Sequence, residues 1–165
     1  PVHGRSSLGY DLLSNASATA RRFPDFLKMM TELARQWHSP VGILGGFQKV
    51  DGRLDLKKFG LMPIFTAARV LALQHDIDAR SSADRLEGVC AKNIGSPEAI
   101  GRVLAAHEYF LQLVLEQQIH DGRNGIPLSP RVDLNLLSKA RKRRLKDSFD
   151  AVAEVIDLVS EGRLQ

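Results

Sequence analysis

Residues 60–75 read GLMPIFTAARVLALQH, and this stretch decides the fold because it is apolar on every side of a helix. Such a helix must be covered all round by other elements, and it is too short to cross a bilayer, which needs about 20 apolar residues. Pro63 suits the first turn of a helix, where its missing N–H is not needed. The stretch therefore predicts a central helix surrounded by others.

One charged residue, Arg69, interrupts this apolar stretch. A guanidinium that is buried without a partner is costly, so Arg69 must be paired or must bind an anion. We predict that Arg69 is mostly buried. Two roles remain open: a structural residue, either ion-paired or with its head group reaching water, and a contact to an anionic substrate.

Composition indicates one globular domain: the chain has 165 residues, of which 44% are apolar and 25% charged. The single cysteine excludes an internal disulfide, and no segment reads as a signal peptide or a membrane span. These features predict a cytoplasmic protein without membrane contact. The chain begins Pro1–Gly4 without an initiator methionine, so we expect a fragment of a longer protein.

The rest of the chain divides into three parts. Residues 1–40 predict N-terminal helices, residues 41–59 a glycine-rich hairpin or loop, and residues 60–165 a helical bundle. Asp51-Gly52 is a two-residue turn signal between two short apolar runs, 47–50 and 53–56. The predicted fold is all-α: an up-and-down four-helix-bundle-like domain with extra N-terminal helices and one small β-hairpin.

Serines mark two helix starts in the second half of the chain. Ser81 precedes Asp84 at capping-box spacing, and Ser96 precedes Pro97, which suits the first helical position. The last helix is predicted from about Ser138 to about Ser160. Its apolar positions at helical spacing predict one buried stripe: Leu145, Phe149, Val152, Ile156 and Val159.

Six cations crowd the start of this last helix: Lys139, Arg141, Lys142, Arg143, Arg144 and Lys146. Since the net charge is +4, the remainder of the chain carries −2. Like charges one turn apart repel, and cations oppose the macrodipole at a helix N-terminus. The cluster therefore favours phosphate recognition or docking, with a solvated charged face as the alternative. Duplex nucleic acid fits less well, because no basic stripe extends the footprint.

Residues with catalytic spacing are sparse. The histidines have no metal-ligand spacing, and Asp76-x-Asp78 is more typical of a solvated helix end than of half a two-metal site. We therefore predict no catalytic residue and no metal ligand in this chain.

Several segments together carry a family resemblance: Asp55–Lys57, Gly60–Ile64, Ala68–Leu73, Ser82–Leu86 and Leu137–Phe149. They resemble the C-terminal helical domain of bacterial signal-transduction nucleotidyltransferases that carry cyclic-nucleotide-binding or CBS domains. Pro1–Gly4 is similar to the residues that follow the catalytic domain in that family. One segment, Leu115–Gln118, departs from the more basic stretch expected there.

The resemblance implies a substrate-binding domain that holds nucleotide or protein substrate against an upstream catalytic domain of the same chain. The catalytic signature of such enzymes, Gly-Ser followed by Asp-x-Asp, is missing, because Gly95-Ser96 comes after Asp76-x-Asp78. The chain alone is therefore predicted to be inactive and without a cofactor. A magnesium nucleoside triphosphate is expected with the full-length protein.

Five basic residues are the candidate substrate-binding residues: Arg69, Arg85, Lys142, Arg144 and Lys146. A cleft that joins Arg69 to Arg85 or Arg144 would favour substrate binding. The alternative function is a helical protein-interaction or regulatory module that relays signals from sensor domains, and a broad exposed apolar patch would favour it. A nucleic-acid-binding domain is the third and least favoured reading.

Overall fold

The computed structural model describes residues 6–161, which form six helices and a two-stranded antiparallel sheet. The helices are α1 (Ser6–Arg21), α2 (Pro24–Arg35), α3 (Met62–Gln74), α4 (Ser82–Ala91), α5 (Pro97–Arg123) and α6 (Lys139–Glu161). The strands are β1 (Arg53–Asp55) and β2 (Arg131–Asp133). The predicted all-α class with one small hairpin is confirmed. The interpretation of Pro1–Gly4 falls outside the described residues.

Helix α3 is the centre of the fold, as its sequence predicts. It packs against α1, α2, α4 and α6. Most of its side chains are buried: Pro63, Ile64, Ala67, Ala68, Val70, Leu71 and Ala72. The predicted stripe of α6 also lies in the core, with Leu145, Phe149, Val152 and Val159 fully buried and Ile156 nearly so. Within residues 6–161, no helix combines the length and hydropathy that a membrane crossing requires.

The serine caps form where they were predicted. The Ser81 hydroxyl accepts a hydrogen bond from the Asp84 N–H at 3.0 Å, and the Ser96 hydroxyl accepts one from the Ala99 N–H at 3.1 Å. Each cap satisfies a backbone donor that has no partner within its helix. These bonds fix the starts of α4 and α5.

The Asp51–Gly52 turn also forms. Its two residues have φ angles of 53° and 77°, as a type I′ turn requires. Across the turn, Val50 and Arg53 exchange two backbone hydrogen bonds of 2.8 and 3.1 Å. The turn signal in the sequence was therefore correct.

The strand that pairs with β1 is not the predicted one. Beyond Arg53 the ladder continues with β2, where Leu54 lies opposite Val132, and residues 47–50 supply no strand. This pairing places Leu54 and Val132 in the core with 0% and 2% exposure. Burial of both side chains explains why the distant strand is preferred over the adjacent segment.

An ion pair holds the sheet against α5. The Arg53 guanidinium donates to both carboxylate oxygens of Asp121, at 2.6 and 3.0 Å, and Asp121 is fully buried. Gln117 donates to Asp121 at 2.9 Å and accepts from the Asp133 N–H at 2.9 Å. Hydrogen bonding to Arg53 lowers the pKa of Asp121 below the usual carboxyl range. The network thus joins β1, β2 and α5.

We expect the stabilising effect of Asp121 to disappear at acid pH. Because its folded-state pKa lies below the ordinary value of about 3.9, the contribution is present above that value and is lost as pH falls through the folded pKa. Urea unfolding of the wild type and of Asp121→Asn should show a clear difference at about pH 7 that narrows toward about pH 3. An equal difference at both pH values would show that ionisation of Asp121 does not contribute.

A close contact at Gly60 gives a second prediction. A Cβ at this position would lie 2.7 Å from Cδ2 and Cε2 of Phe110, whose ring is fully buried. Gly60→Ala should therefore lower the free energy of unfolding by about 1–3 kcal/mol, measured by urea denaturation. Gly101→Ala in α5 is the matched control, because its Cβ meets nothing within 4 Å and alanine favours a helix. Similar effects at both positions would contradict the packing argument.

Candidate functional site

Two of the five candidate residues, Arg69 and Arg85, meet at a cavity of about 280 Å³. The cavity lies between α1, α2, α3 and the first turns of α4. Apart from the arginines and Ser17, its wall consists of apolar side chains such as Phe26 and Leu73. We call it the two-arginine cavity.

Arg85 lines this cavity, and only part of its guanidinium group is hydrogen-bonded. The residue is 8% exposed, and its Nε donates to the Ala79 carbonyl oxygen at 3.1 Å. Its buried Nη1 has no hydrogen-bond partner among the described residues. Burial lowers the pKa of Arg85, and the positive charge of Arg69 lowers it further. A buried donor without an acceptor is costly, so an anion in the cavity would relieve a real energetic penalty.

Arg69 is exposed, and the prediction that it is buried is wrong. Its guanidinium carbon lies 4.4 Å from the centre of the Phe65 ring, one turn earlier on α3. This cation–π contact positions the side chain beside the cavity without neutralising its charge. Among the described residues, neither Arg69 nor Arg85 forms an ion pair with a carboxylate.

The nearby aspartates hold α1 in place. Arg21, at the end of α1, pairs with Asp76 at 2.8 Å and with Asp78 at 3.7 Å. Arg80 lies 4.3 Å from the centre of the Tyr10 ring on α1. Asp76 and Asp78 therefore contact the helix that forms one wall of the cavity, through pairs that are largely exposed. Within residues 6–161, no group of three His, Cys, Asp or Glu side chains is placed to hold a metal ion.

The other three candidate residues, Lys142, Arg144 and Lys146, lie on α6 and do not line the two-arginine cavity. The Arg144 guanidinium lies 4.2 Å from the centre of the Tyr109 ring, and the Lys146 ammonium lies 5.7 Å from that of Phe47. The structure thus places the five candidates in two separate groups.

The basic cluster on α6 itself has two parts. Arg141 pairs with Glu116 of α5 and lowers the pKa of that carboxyl group, so Arg141 and Arg144 help to fasten α6 to α5. In contrast, Lys139, Lys142 and Arg143 make neither an ion pair nor a cation–π contact with any described residue, whereas Lys146 makes a cation–π contact with the Phe47 ring. The role of the cluster in phosphate recognition or docking stays a prediction, and the structure shows that Arg141 and Arg144 also contact α5.

Sequence reasoning also missed a second cavity, beside Trp37. Trp37 continues the apolar spacing of α2, and this pattern alone predicts a core residue. No local signal marks the cavity, because Phe59, Met62 and Thr66, which complete it, are distant from Trp37 in the sequence.

The comparisons agree with the resemblance. A family model described as "Putative nucleotidyltransferase substrate binding domain" matches residues 24–161, which is most of the chain. The chain belongs to this family. No curated protein and no solved structure gave a match. Helix α1 lies outside the matched segment although it forms part of the cavity wall.

The unpaired state of Arg85 predicts an unusual mutational effect in the absence of ligand. Arg85→Met keeps an apolar stem but removes a buried cationic donor, so we expect the free energy of unfolding to stay unchanged or to rise by up to about 2 kcal/mol. Urea unfolding in a buffer free of polyvalent anions measures this. Arg123→Met, at an exposed position of α5, is the control. A large loss of stability for Arg85→Met alone would identify Arg85 as a structural residue.

Proposed function

We propose that this domain binds the phosphate groups of a nucleotide in the two-arginine cavity and holds them for a separate nucleotidyltransferase domain of the same chain. The observation that carries the proposal is the buried, unpartnered Nη1 of Arg85 beside the unpaired Arg69. The family description supports a substrate-binding role.

The chemistry of the cavity suits phosphate. Arginine presents a planar set of donors that matches phosphate oxygens, and charge-assisted bonds to it are stronger than neutral ones. The apolar walls strengthen the bonds to Arg85, because this residue is buried and the local dielectric constant is low. A bound phosphate would also remove the repulsion between the two guanidinium groups. Binding therefore gains from both arginines at once.

In this proposal the domain contributes binding and orientation, and the catalytic groups with Mg²⁺ belong to the separate domain. Three cations of α6 that make neither an ion pair nor a cation–π contact among the described residues, Lys139, Lys142 and Arg143, form a surface on which that domain could dock through its acidic residues. We further propose that the whole protein is a bacterial, cytoplasmic signalling protein with CBS or cyclic-nucleotide-binding domains. Only the family resemblance supports the signalling role and these additional domains.

A second candidate function, a protein-interaction module, is favoured by an exposed apolar surface. Large apolar side chains on α1 and at the start of α2 are exposed by 37–72%: Leu8, Tyr10, Leu12, Phe23 and Phe26. Apolar patches of this kind are typical of protein-binding surfaces. A partner that docks here would cover α1, which also forms a wall of the two-arginine cavity.

The phosphate proposal predicts that inorganic tripolyphosphate stabilises the isolated chain. Ligand at about 100 times its Kd should add about 2.7 kcal/mol to the free energy of unfolding, read as a rise in melting temperature. The rise should shrink as salt increases, because the interaction is electrostatic. Arg85→Met and Arg69→Met should lose most of it, whereas Arg123→Met should retain it.

A triple variant separates the two basic regions. Replacing Lys139, Lys142 and Arg143 with Gln should leave the tripolyphosphate effect largely intact, because these residues do not line the cavity. If the triple variant loses the effect and Arg85→Met keeps it, the anion site is on α6 and the proposal is wrong. If the wild type shows no stabilisation, the interaction module becomes the better description.

A further inference from the structure

The second cavity, of about 230 Å³, lies between the end of α2, the residues that precede α3 and the first turn of α3. Trp37, His38 and Phe59 line one side, and Met62 and Thr66 of α3 line the other. We call it the Trp37 cavity. It is separate from the two-arginine cavity and mostly apolar.

A π-helical turn, Lys57–Leu61, builds the aromatic side of this cavity. In the turn, the Met62 N–H donates to the Lys57 carbonyl oxygen, five residues back. The Phe59 carbonyl oxygen accepts a hydrogen bond from the indole N–H of Trp37 at 2.8 Å. This bond fixes the Trp37 ring before any ligand arrives. Single π-helical turns are frequent at functional sites because they displace backbone groups from the regular helical pattern.

The other lining groups suit a flat heteroaromatic ring. The His38 ring packs edge-on against Phe59, with centres 6.1 Å apart and planes at 71°. The side chains of Gln36 and Thr66 line the cavity and make no hydrogen bond to any other described residue. An apolar cavity with aromatic walls and a few free polar groups binds a ring by stacking and reads its edge by hydrogen bonds.

Both cavities are lined by side chains from one face of α3. Met62 and Thr66 line the Trp37 cavity, and Arg69 and Leu73 line the two-arginine cavity. Steps of four, three and four residues place these four side chains on one stripe of the helix. The seven helical steps from Met62 to Arg69 span about 10 Å along the axis. A single ligand lying along α3 could therefore place a ring at Trp37 and an anionic group at the arginines.

We infer that the Trp37 cavity binds the base of the nucleotide whose phosphates lie between Arg69 and Arg85. This inference rests on the proposed phosphate-binding function and adds a second subsite to it. The base stacks on the Trp37 side of the cavity, and Gln36 or Thr66 bonds its edge. Stacking of this kind should strengthen binding about tenfold or more relative to the phosphates alone.

Trp37 is the only tryptophan of the chain, so its fluorescence reports directly on this cavity. The test is titration of the chain with ATP, GTP, CTP, UTP and inorganic tripolyphosphate, following tryptophan emission and, by calorimetry, affinity. At least one nucleoside triphosphate should quench the emission and bind about tenfold tighter than tripolyphosphate. Tripolyphosphate should bind without changing the emission.

Two variants block the ring subsite in different ways. Trp37→Leu removes the stacking surface, and Thr66→Phe fills the cavity from α3 should the first variant fail to fold. Each should reduce the affinity for the preferred nucleoside triphosphate to that for tripolyphosphate. Ala105→Phe, which adds the same ring at an exposed position of α5, should leave both affinities unchanged.

The outcomes distinguish this inference from the proposed function. If tripolyphosphate binds through Arg85 but no nucleoside triphosphate binds tighter or quenches Trp37, the phosphate proposal stands and the base subsite is refuted. If nucleoside triphosphates quench Trp37 equally in the wild type and in Arg85→Met, the ring subsite is supported and the phosphate assignment is refuted. If no compound binds or quenches, both are refuted.

Discussion

The fold depends on the need to cover α3, a helix that is apolar on almost every side. Helices α1, α2, α4 and α6 meet this need by packing around it. Four side chains on one face of α3 stay at least partly exposed: Met62, Thr66, Arg69 and Leu73. The two cavities lie along this face, one near each end of α2. One constraint on a single helix therefore produces both the core and the proposed ligand groove.

Two arginines show how the same side chain can stabilise a fold or prepare a site. Arg53 has its charge matched by the buried carboxylate of Asp121, and the pair joins three elements. Arg85 is more deeply buried than Arg53 but has an unpartnered Nη1 and a cationic neighbour in Arg69. A buried donor is usually hydrogen-bonded to protein or ordered water, so an unpartnered one beside a cavity needs an explanation, and a ligand supplies one. The contrast within one chain argues that the Arg85 environment reflects function rather than loose packing.

Local sequence patterns predicted the elements but not their long-range partners. The caps at Ser81 and Ser96 and the stripe of α6 depend on neighbouring residues, so the sequence was sufficient for them. The pairing of Leu54 with Val132 joins segments that are distant in the sequence. The sequence alone favoured pairing with residues 47–50, which lie just before the turn. Arg69 was predicted to be buried because its neighbours are apolar, but periodicity does not show which stripe of a covered helix stays open.

The candidate site was predictable only in part, for the same reason. The sequence analysis proposed both Arg69 and Arg85, but only the tertiary structure brings them to one cavity, separate from the cations of α6. The Trp37 cavity depends on a π-helical turn, which inserts one residue into the helical pattern. A search for apolar residues at a spacing of 3.6 therefore does not place Phe59 beside Trp37.

Helix α1 connects the two candidate functions. It lies outside the family match, yet it forms a wall of the two-arginine cavity and carries part of the exposed apolar surface. Its ion pairs through Arg21 are made to largely exposed aspartates, and such pairs contribute little stability. A protein partner that moved α1 would therefore change access to Arg85 at low energetic cost. By linkage, an anion at Arg85 would change the affinity for that partner by the same factor, so substrate binding and regulation need not be competing descriptions of this domain.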